Sequence, residues 1–389
     1  MKTKDPLGRV SRRQLGLLAA GAAAASVVTP AFAKKAGSKD PAKKAKKITA
    51  EDQTKRRQAA PAPHLDASKL SATDRKHAQE LATVGAALLA KALLHRRDPK
   101  TYPLPADANS PEAHVAKAVA ALPNKMFERG FPKLFTAAQG THRLNRRDKS
   151  GDGGGGVDYD HGVLDSLDFK KASIAVDLTK HFPNIVFRPG VLGPVGPQHK
   201  YKNVQVLLES VYCDNYTGCC GDDDMVFGSI LVGANAHAQA GASFFAGEFD
   251  SGSIVGYGDY LLGQFSLSTT SGYPKDFFTI FQLTETDDGD QDAVNHVRDG
   301  INAVLAAVGT AVGGVGAAVA AVAAAVVSLI TGIISVFIGD DIFAPWSAWL
   351  RLNSETQFDP SGLSPVQYTG WITYGDARYQ IAYRWAMVA

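Results

Sequence analysis

The chain has 389 residues, and its 41 Lys and Arg residues nearly balance its 38 Asp and Glu residues, for a formal net charge of +3. The basic residues do not form a sustained pattern with interleaved aromatic residues, which excludes a typical nucleic-acid-binding protein. The charge is nevertheless uneven, because residues 34–57 are strongly basic and residues 222–292 are strongly acidic.

The first 33 residues contain the parts of an export signal in the expected order. A basic start carries an Arg pair, and an apolar run over residues 15–28 follows it. This run is shorter than the roughly 20 residues that cross a bilayer, and an A-x-A cleavage site closes it. The signal residues are Arg12, Arg13, Ala31 and Ala33. The segment resembles a twin-arginine signal peptide, and this resemblance implies export of the folded chain to the periplasm or out of the cell.

The next two regions differ in composition. Residues 34–66 are rich in Lys, Ala and Pro and are predicted to be a basic disordered linker, with membrane or cell-envelope contact through the positive charge as the alternative. Residues 67–147 are predicted to be helical. Apolar residues recur at helical spacing over residues 74–95, and Ser110 followed by Pro111 is a typical helix start.

A Gly- and Asp-rich stretch at residues 148–163 predicts a hinge. Residues 164–389 then contain short alternating segments separated by Gly, Pro, Asn and Asp, which is typical of a β-sandwich. The predicted strands cover residues 172–178, 204–211, 225–232, 242–245, 260–267, 277–283, 348–352, 367–373 and 378–385. The predicted fold class is α+β, with an N-terminal helical region followed by an antiparallel β-sandwich.

An Ala- and Gly-rich segment interrupts the predicted strands. It is interpreted as a helical hairpin inserted at about residues 292–339, and residues 300–339 contain no charged side chain. One interpretation buries these helices against the sheet. Because the segment is about twice the length of a bilayer span, the other is a hairpin that enters membranes.

The three cysteines are close together in the sequence, at Cys213, Cys219 and Cys220. Export to an oxidising compartment permits a disulfide from Cys213 to either of the other two. A zinc site is the weaker interpretation, because no CxxC pair or nearby His pair completes four ligands.

Three acidic segments lie at the ends of predicted elements. Calcium takes six to eight oxygen ligands, and carboxylates on neighbouring loops supply them. The sequence therefore predicts calcium at one or more of these segments, with helix capping and loop solubility as the alternative. The candidate ligands are Asp222, Asp223, Asp224, Glu285, Asp287, Asp288, Asp290, Asp340 and Asp341.

Enzyme signatures are absent from the sequence, which has no G-x-S-x-G, H-E-x-x-H, P-loop or dinucleotide-binding motif. No catalytic residue is therefore assigned, and the sequence favours a non-enzymatic protein. The leading hypothesis is an exported binding or structural protein with acidic calcium-binding loops and an unidentified ligand. The alternatives are a membrane-active or pore-forming protein that uses residues 300–339, and an extracellular hydrolase without a recognised motif.

Overall fold

The computed structural model describes residues 45–134, 156–183, 185–187, 200–216, 223–269, 272–285, 309–310, 315–337 and 343–389. The fold is α+β, with N-terminal helices and two packed antiparallel sheets. The helices are α1 (Ala50–Gln58), α2 (Ala72–Arg97), α3 (Pro111–Ala120), α4 (Asn124–Leu134), α5 (His161–Ser166), α6 (Ala175–His181) and α7 (Val315–Phe337). The strands are β1 (Lys46–Lys47), β2 (Ile185–Val186), β3 (Asn203–Asn215), β4 (Asp223–Val232), β5 (Ala238–Phe249), β6 (Ser253–Ser266), β7 (Lys275–Glu285), β8 (Gly309–Thr310), β9 (Trp346–Leu352), β10 (Gln367–Tyr368), β11 (Ile372–Tyr374) and β12 (Ala377–Val388).

The two large sheets form the sandwich. Sheet A has the strand order β1-β6-β3-β12-β10, with β11 also paired to β12, and sheet B has the order β5-β4-β7-β9. Aromatic side chains fill the space between the sheets. For example, the ring of Phe281 lies 5.8 Å from that of Phe227 and 5.1 Å from that of Tyr383, measured between centroids. Rings at this spacing bury large apolar areas and interact favourably edge to face.

The helices that follow α1 form a layer on the outer face of sheet B. Helix α7 packs against β4 and β7 on one side and against α2 and α4 on the other. Residues 321–330 of α7 are all buried, and α2 is buried along almost its whole central length. Helices and sheet therefore share one hydrophobic core, which contains Leu88 of α2, Val326 of α7 and Ile280 of β7.

Local sequence signals explain where the main helices begin. The Ser71 hydroxyl caps α2 by accepting a hydrogen bond from the Asp74 N–H at 3.1 Å, and Ser110 caps α3 ahead of Pro111 in the first turn. Such caps satisfy backbone donors that have no partner within the helix. Both helix predictions are confirmed.

The structure corrects the predicted strand over residues 172–178, where α6 is formed instead. Ile174, Leu178 and Phe182 are buried at a spacing of four residues, which is a helical period. The buried Glu112 side chain also accepts hydrogen bonds from the N–H groups of Ile174 and Ala175 at 2.8 and 2.9 Å. A long-range carboxylate thus stabilises the start of this helix.

Residues 45–66 also differ from the linker that their composition predicts. Strand β1 pairs with β6, and the Ala62 N–H donates to the Tyr368 carbonyl at 2.8 Å. The Leu65 N–H donates to the Ser347 carbonyl at 3.1 Å, which extends the segment along the edge strand β9. Main-chain hydrogen bonds, which composition does not reveal, account for this order. Of the hairpin predicted at about residues 292–339, residues 292–308, 311–314 and 338–339 lie outside the described residues, and α7 is the helix that the structure describes.

Candidate functional site at the acidic end of the sandwich

The residues that flank the three acidic segments lie side by side. Asp223 begins β4 and Glu285 ends the neighbouring strand β7, where it is paired in register with Met225. The Phe343 N–H, two residues after the third acidic segment, donates to the Leu283 carbonyl at 3.3 Å. We call this end of the sandwich, where β3, β5 and β7 finish and β4 begins, the acidic end.

The predicted calcium ligands fall into two groups. Asp223, Asp224 and Glu285 are described, and the structure brings all three to the acidic end. The others lie outside the described residues, as do the signal residues Arg12, Arg13, Ala31 and Ala33; they are Asp222, Asp287, Asp288, Asp290, Asp340 and Asp341. Within the described part of the chain, no group of three or more His, Cys, Asp or Glu side chains is arranged to hold a metal ion.

The Asp223 side chain points into the core and not into solvent. Its side chain is buried, and its Oδ2 atom accepts a hydrogen bond from the Tyr379 hydroxyl at 2.7 Å. Burial, the nearby Cys213 and Asp223 itself all raise the pKa of Tyr379, so this hydroxyl remains a donor at neutral pH. Asp224 points to the opposite face of the strand and is paired in register with Glu248.

A second carboxylate, Asp214 at the end of β3, was not singled out by sequence reasoning. Its side chain is fully buried, and its Oδ1 atom accepts hydrogen bonds from Arg57 Nε at 2.8 Å and from the Tyr212 hydroxyl at 3.0 Å. Its Oδ2 atom lies 2.5 Å from Arg378 Nη2. Burial, followed by the Asp214 hydrogen bond and charge, raises the pKa of Tyr212 to about 12.

Cys213 lies between these two carboxylates on β3 and is a free, buried cysteine, in contrast to the predicted disulfide. The other two cysteines, Cys219 and Cys220, lie outside the described residues. Burial raises the pKa of the Cys213 thiol to about 12, and the carboxylates of Asp223 and Asp214 contribute further. The thiol is therefore protonated at neutral pH and is a poor nucleophile and metal ligand.

The apolar character of α7 is accounted for by its position in the core. Val326 and Leu329 are both completely buried among the helices and sheet B. No helix in the described ranges has the length and apolarity that crossing a membrane requires.

Comparison with known proteins gives no relative: no protein-family model, no curated protein and no solved structure matches the chain. The class of the protein is therefore defined by its fold alone, an α+β protein whose two-sheet sandwich carries a helical layer.

Proposed function

We propose that the chain is an exported binding protein that holds calcium at the acidic end of its sandwich. The observation that supports this proposal is the adjacency of Asp223, Glu285 and Phe343, since each directly adjoins or closely follows one acidic segment. Asp222, Asp287 and Asp341 are each no more than two residues in sequence from one of these three residues.

Repulsion between neighbouring carboxylates favours a bound cation at this end of the sandwich. Residues 287–292 contain four Asp residues, and Asp222 and Asp340–Asp341 belong to the neighbouring segments. Carboxylates that lie close together disfavour one another's charged form unless a cation separates them. Calcium suits such a set because it takes six to eight oxygens in flexible geometry, from side chains, carbonyls and water.

The resemblance of the first 33 residues to a twin-arginine signal supports the same proposal. Export would place the protein where calcium is more abundant than in the cytoplasm. Extracellular calcium modules bind with dissociation constants of about 10⁻⁴–10⁻³ M, and we expect an affinity in this range.

Isothermal titration calorimetry of the mature chain, beginning at Lys34, tests the proposal directly. Calcium should give a saturable heat, and the Asp287→Asn/Asp288→Asn variant should weaken binding at least about tenfold, which is 1.4 kcal/mol in binding free energy. At a calcium concentration of 100 times Kd, the wild-type protein should also gain about 2.7 kcal/mol of stability.

A matched control removes two negative charges at the opposite end of the sandwich. Glu355 and Asp359 lie against Lys200, three residues before β3 begins, so the Glu355→Gln/Asp359→Asn variant has the same net charge as the test variant. It should bind calcium as the wild type does. The absence of calcium heat in the wild type, or equal weakening in both variants, would overturn the proposal.

A further inference from the structure

Helix α1 rests on the outer face of sheet A without burying any of its own residues. Most helices of globular proteins are stabilised by packing an apolar face, but the mean character of α1 is polar and charged. Main-chain hydrogen bonds hold the chain before and after α1, and the helix itself contacts the sheet through a few polar side chains. Two adjacent residues, Arg56 and Arg57, make the principal contacts.

Arg56 lies in an aromatic cage. The centre of its guanidinium group is 5.5 Å from the centroid of the Tyr212 ring and 5.4 Å from that of the Tyr368 ring. Its Nη2 atom donates to the Ser210 hydroxyl at 2.9 Å. Placement of a planar cation over aromatic faces is a recognised mode of cation binding, and guanidinium groups suit it best because they stack.

Arg57 binds the carboxylate beside the cage. Its Nε and Nη2 atoms lie 2.8 and 2.7 Å from Asp214 Oδ1, and the Asp214 side chain is fully buried while that of Arg57 is 53% exposed. The carboxylate is thus a fixed part of the sheet, oriented by Tyr212 and Arg378. The arginine, in contrast, approaches it from solvent.

The hydrogen bonding of Arg56 in the aromatic cage is incomplete. The Nη1 atom of Arg56 is buried without a hydrogen-bond partner, and a buried donor without a partner loses its hydration with no compensation. Burial also lowers the pKa of Arg56. A guanidinium that could donate all of its N–H groups would occupy the cage more favourably than Arg56 does.

We propose that Tyr212, Tyr368 and Asp214 form a recognition site for two adjacent arginines of a partner polypeptide, and that α1 fills this site as a displaceable internal ligand. One arginine enters the aromatic cage and the next pairs with the buried carboxylate, as Arg56 and Arg57 do within the chain. This site is separate from the proposed calcium ligands and does not depend on them.

The test removes both arginine side chains from the proposed recognition site in the full mature chain. The Arg56→Ala/Arg57→Ala variant should bind the probe acetyl-Arg-Arg-amide at least about tenfold more tightly than the wild type, because the competing internal ligand acts at high effective concentration. A Lys46→Ala/Lys55→Ala control removes two exposed positive charges, one from β1 just before α1 and one from α1 itself. It should bind the probe as weakly as the wild type.

Two further measurements separate recognition from simple charge attraction. Adding Tyr368→Ala, a change at a half-buried position, to the vacated variant should abolish the gain, and acetyl-Lys-Lys-amide should bind the vacated site at least about tenfold more weakly than the arginine probe. In the wild-type protein, millimolar arginine probe should accelerate amide hydrogen exchange over Ala50–Gln58, which requires no substitution. Equal binding of both probes, binding that survives Tyr368→Ala, or unchanged exchange would overturn the proposal.

Discussion

The hydroxyl of Ser328 on α7 fastens residues 156–160 to the helical layer, and its removal should be costly. The Ser328 hydroxyl oxygen lies 2.7 Å from the Val157 carbonyl and accepts a hydrogen bond from the Val157 N–H at 2.6 Å. The Tyr159 hydroxyl donates to the Ser328 carbonyl at 2.7 Å. Ser328 is only 7% exposed, so water does not readily replace these bonds.

The Ser328→Ala substitution leaves the N–H and carbonyl of Val157 without their partner. A net intramolecular hydrogen bond contributes about 0.5–1.5 kcal/mol, and a buried group left without a partner costs about 1–3 kcal/mol. Val157 is only partly buried, so each of its two groups costs about 1–2 kcal/mol, which gives a loss of about 2–4 kcal/mol. The higher helix propensity of Ala returns about 0.5 kcal/mol, so we expect a net loss of about 1.5–3.5 kcal/mol.

Thr331 provides a matched control on the same helix. Its side chain is exposed, and its hydroxyl donates only to the Val327 carbonyl within α7, at 2.9 Å. Thr331→Ala should therefore change stability by less than about 0.5 kcal/mol. Urea unfolding followed by far-ultraviolet circular dichroism measures both variants, and equal slopes show that the same surface is exposed on unfolding. A Ser328→Ala loss below about 0.5 kcal/mol would refute the reasoning.

Two further substitutions test buried charges. Lys91→Met should lower the free energy of unfolding by at least about 2 kcal/mol in a urea titration, because two carbonyls lose the ammonium that now donates to them at 2.6 Å. Lys76→Met, at an exposed position on the same helix, should change this free energy little. Equal losses in the two variants would contradict the stabilising role of the Lys91 hydrogen bonds. Burial and the adjacent Asp259 raise the pKa of Glu209. As pH rises above the ordinary Glu pKa, ionisation of this side chain therefore lowers the free energy of unfolding. Glu209→Gln should consequently be less destabilising at pH 7 than at pH 4 in the same titration, and a greater loss at pH 7 would show that the sign is wrong.

The elements that were predicted correctly are those whose signal is local. In β12, residues Tyr379, Ile381, Tyr383 and Trp385 alternate with smaller or polar residues, and all four are buried between the sheets. Alternation of this kind follows directly from strand geometry. Over residues 172–178 the same type of reasoning was wrong, because a two-residue period and a four-residue period are hard to distinguish over seven residues.

The acidic residues of the candidate site could be predicted from the sequence, but their spatial arrangement could not. Three acidic segments are visible in the sequence, but their adjacency depends on the strand order β4-β7-β9, which brings Asp223, Glu285 and Phe343 together. Asp214 has no distinctive sequence context. Its importance comes from Arg57 and Arg378, which lie more than 150 residues away from it in sequence.

Helix α1 shows why composition alone gave a wrong prediction for the residues that precede α2. A stretch rich in Lys and poor in apolar residues cannot bury a core, and from this rule residues 34–66 were predicted to be a linker. The rule applies to a segment that must be stabilised by its own burial. Helix α1 is instead held by main-chain pairing of the residues on either side of it and by two arginines that contact a buried carboxylate and two aromatic rings. A segment attached in this way has few apolar contacts to lose, which places it among the parts of a fold that open most easily. This is the property that an internal ligand requires, because a partner can replace it without disturbing the core beneath.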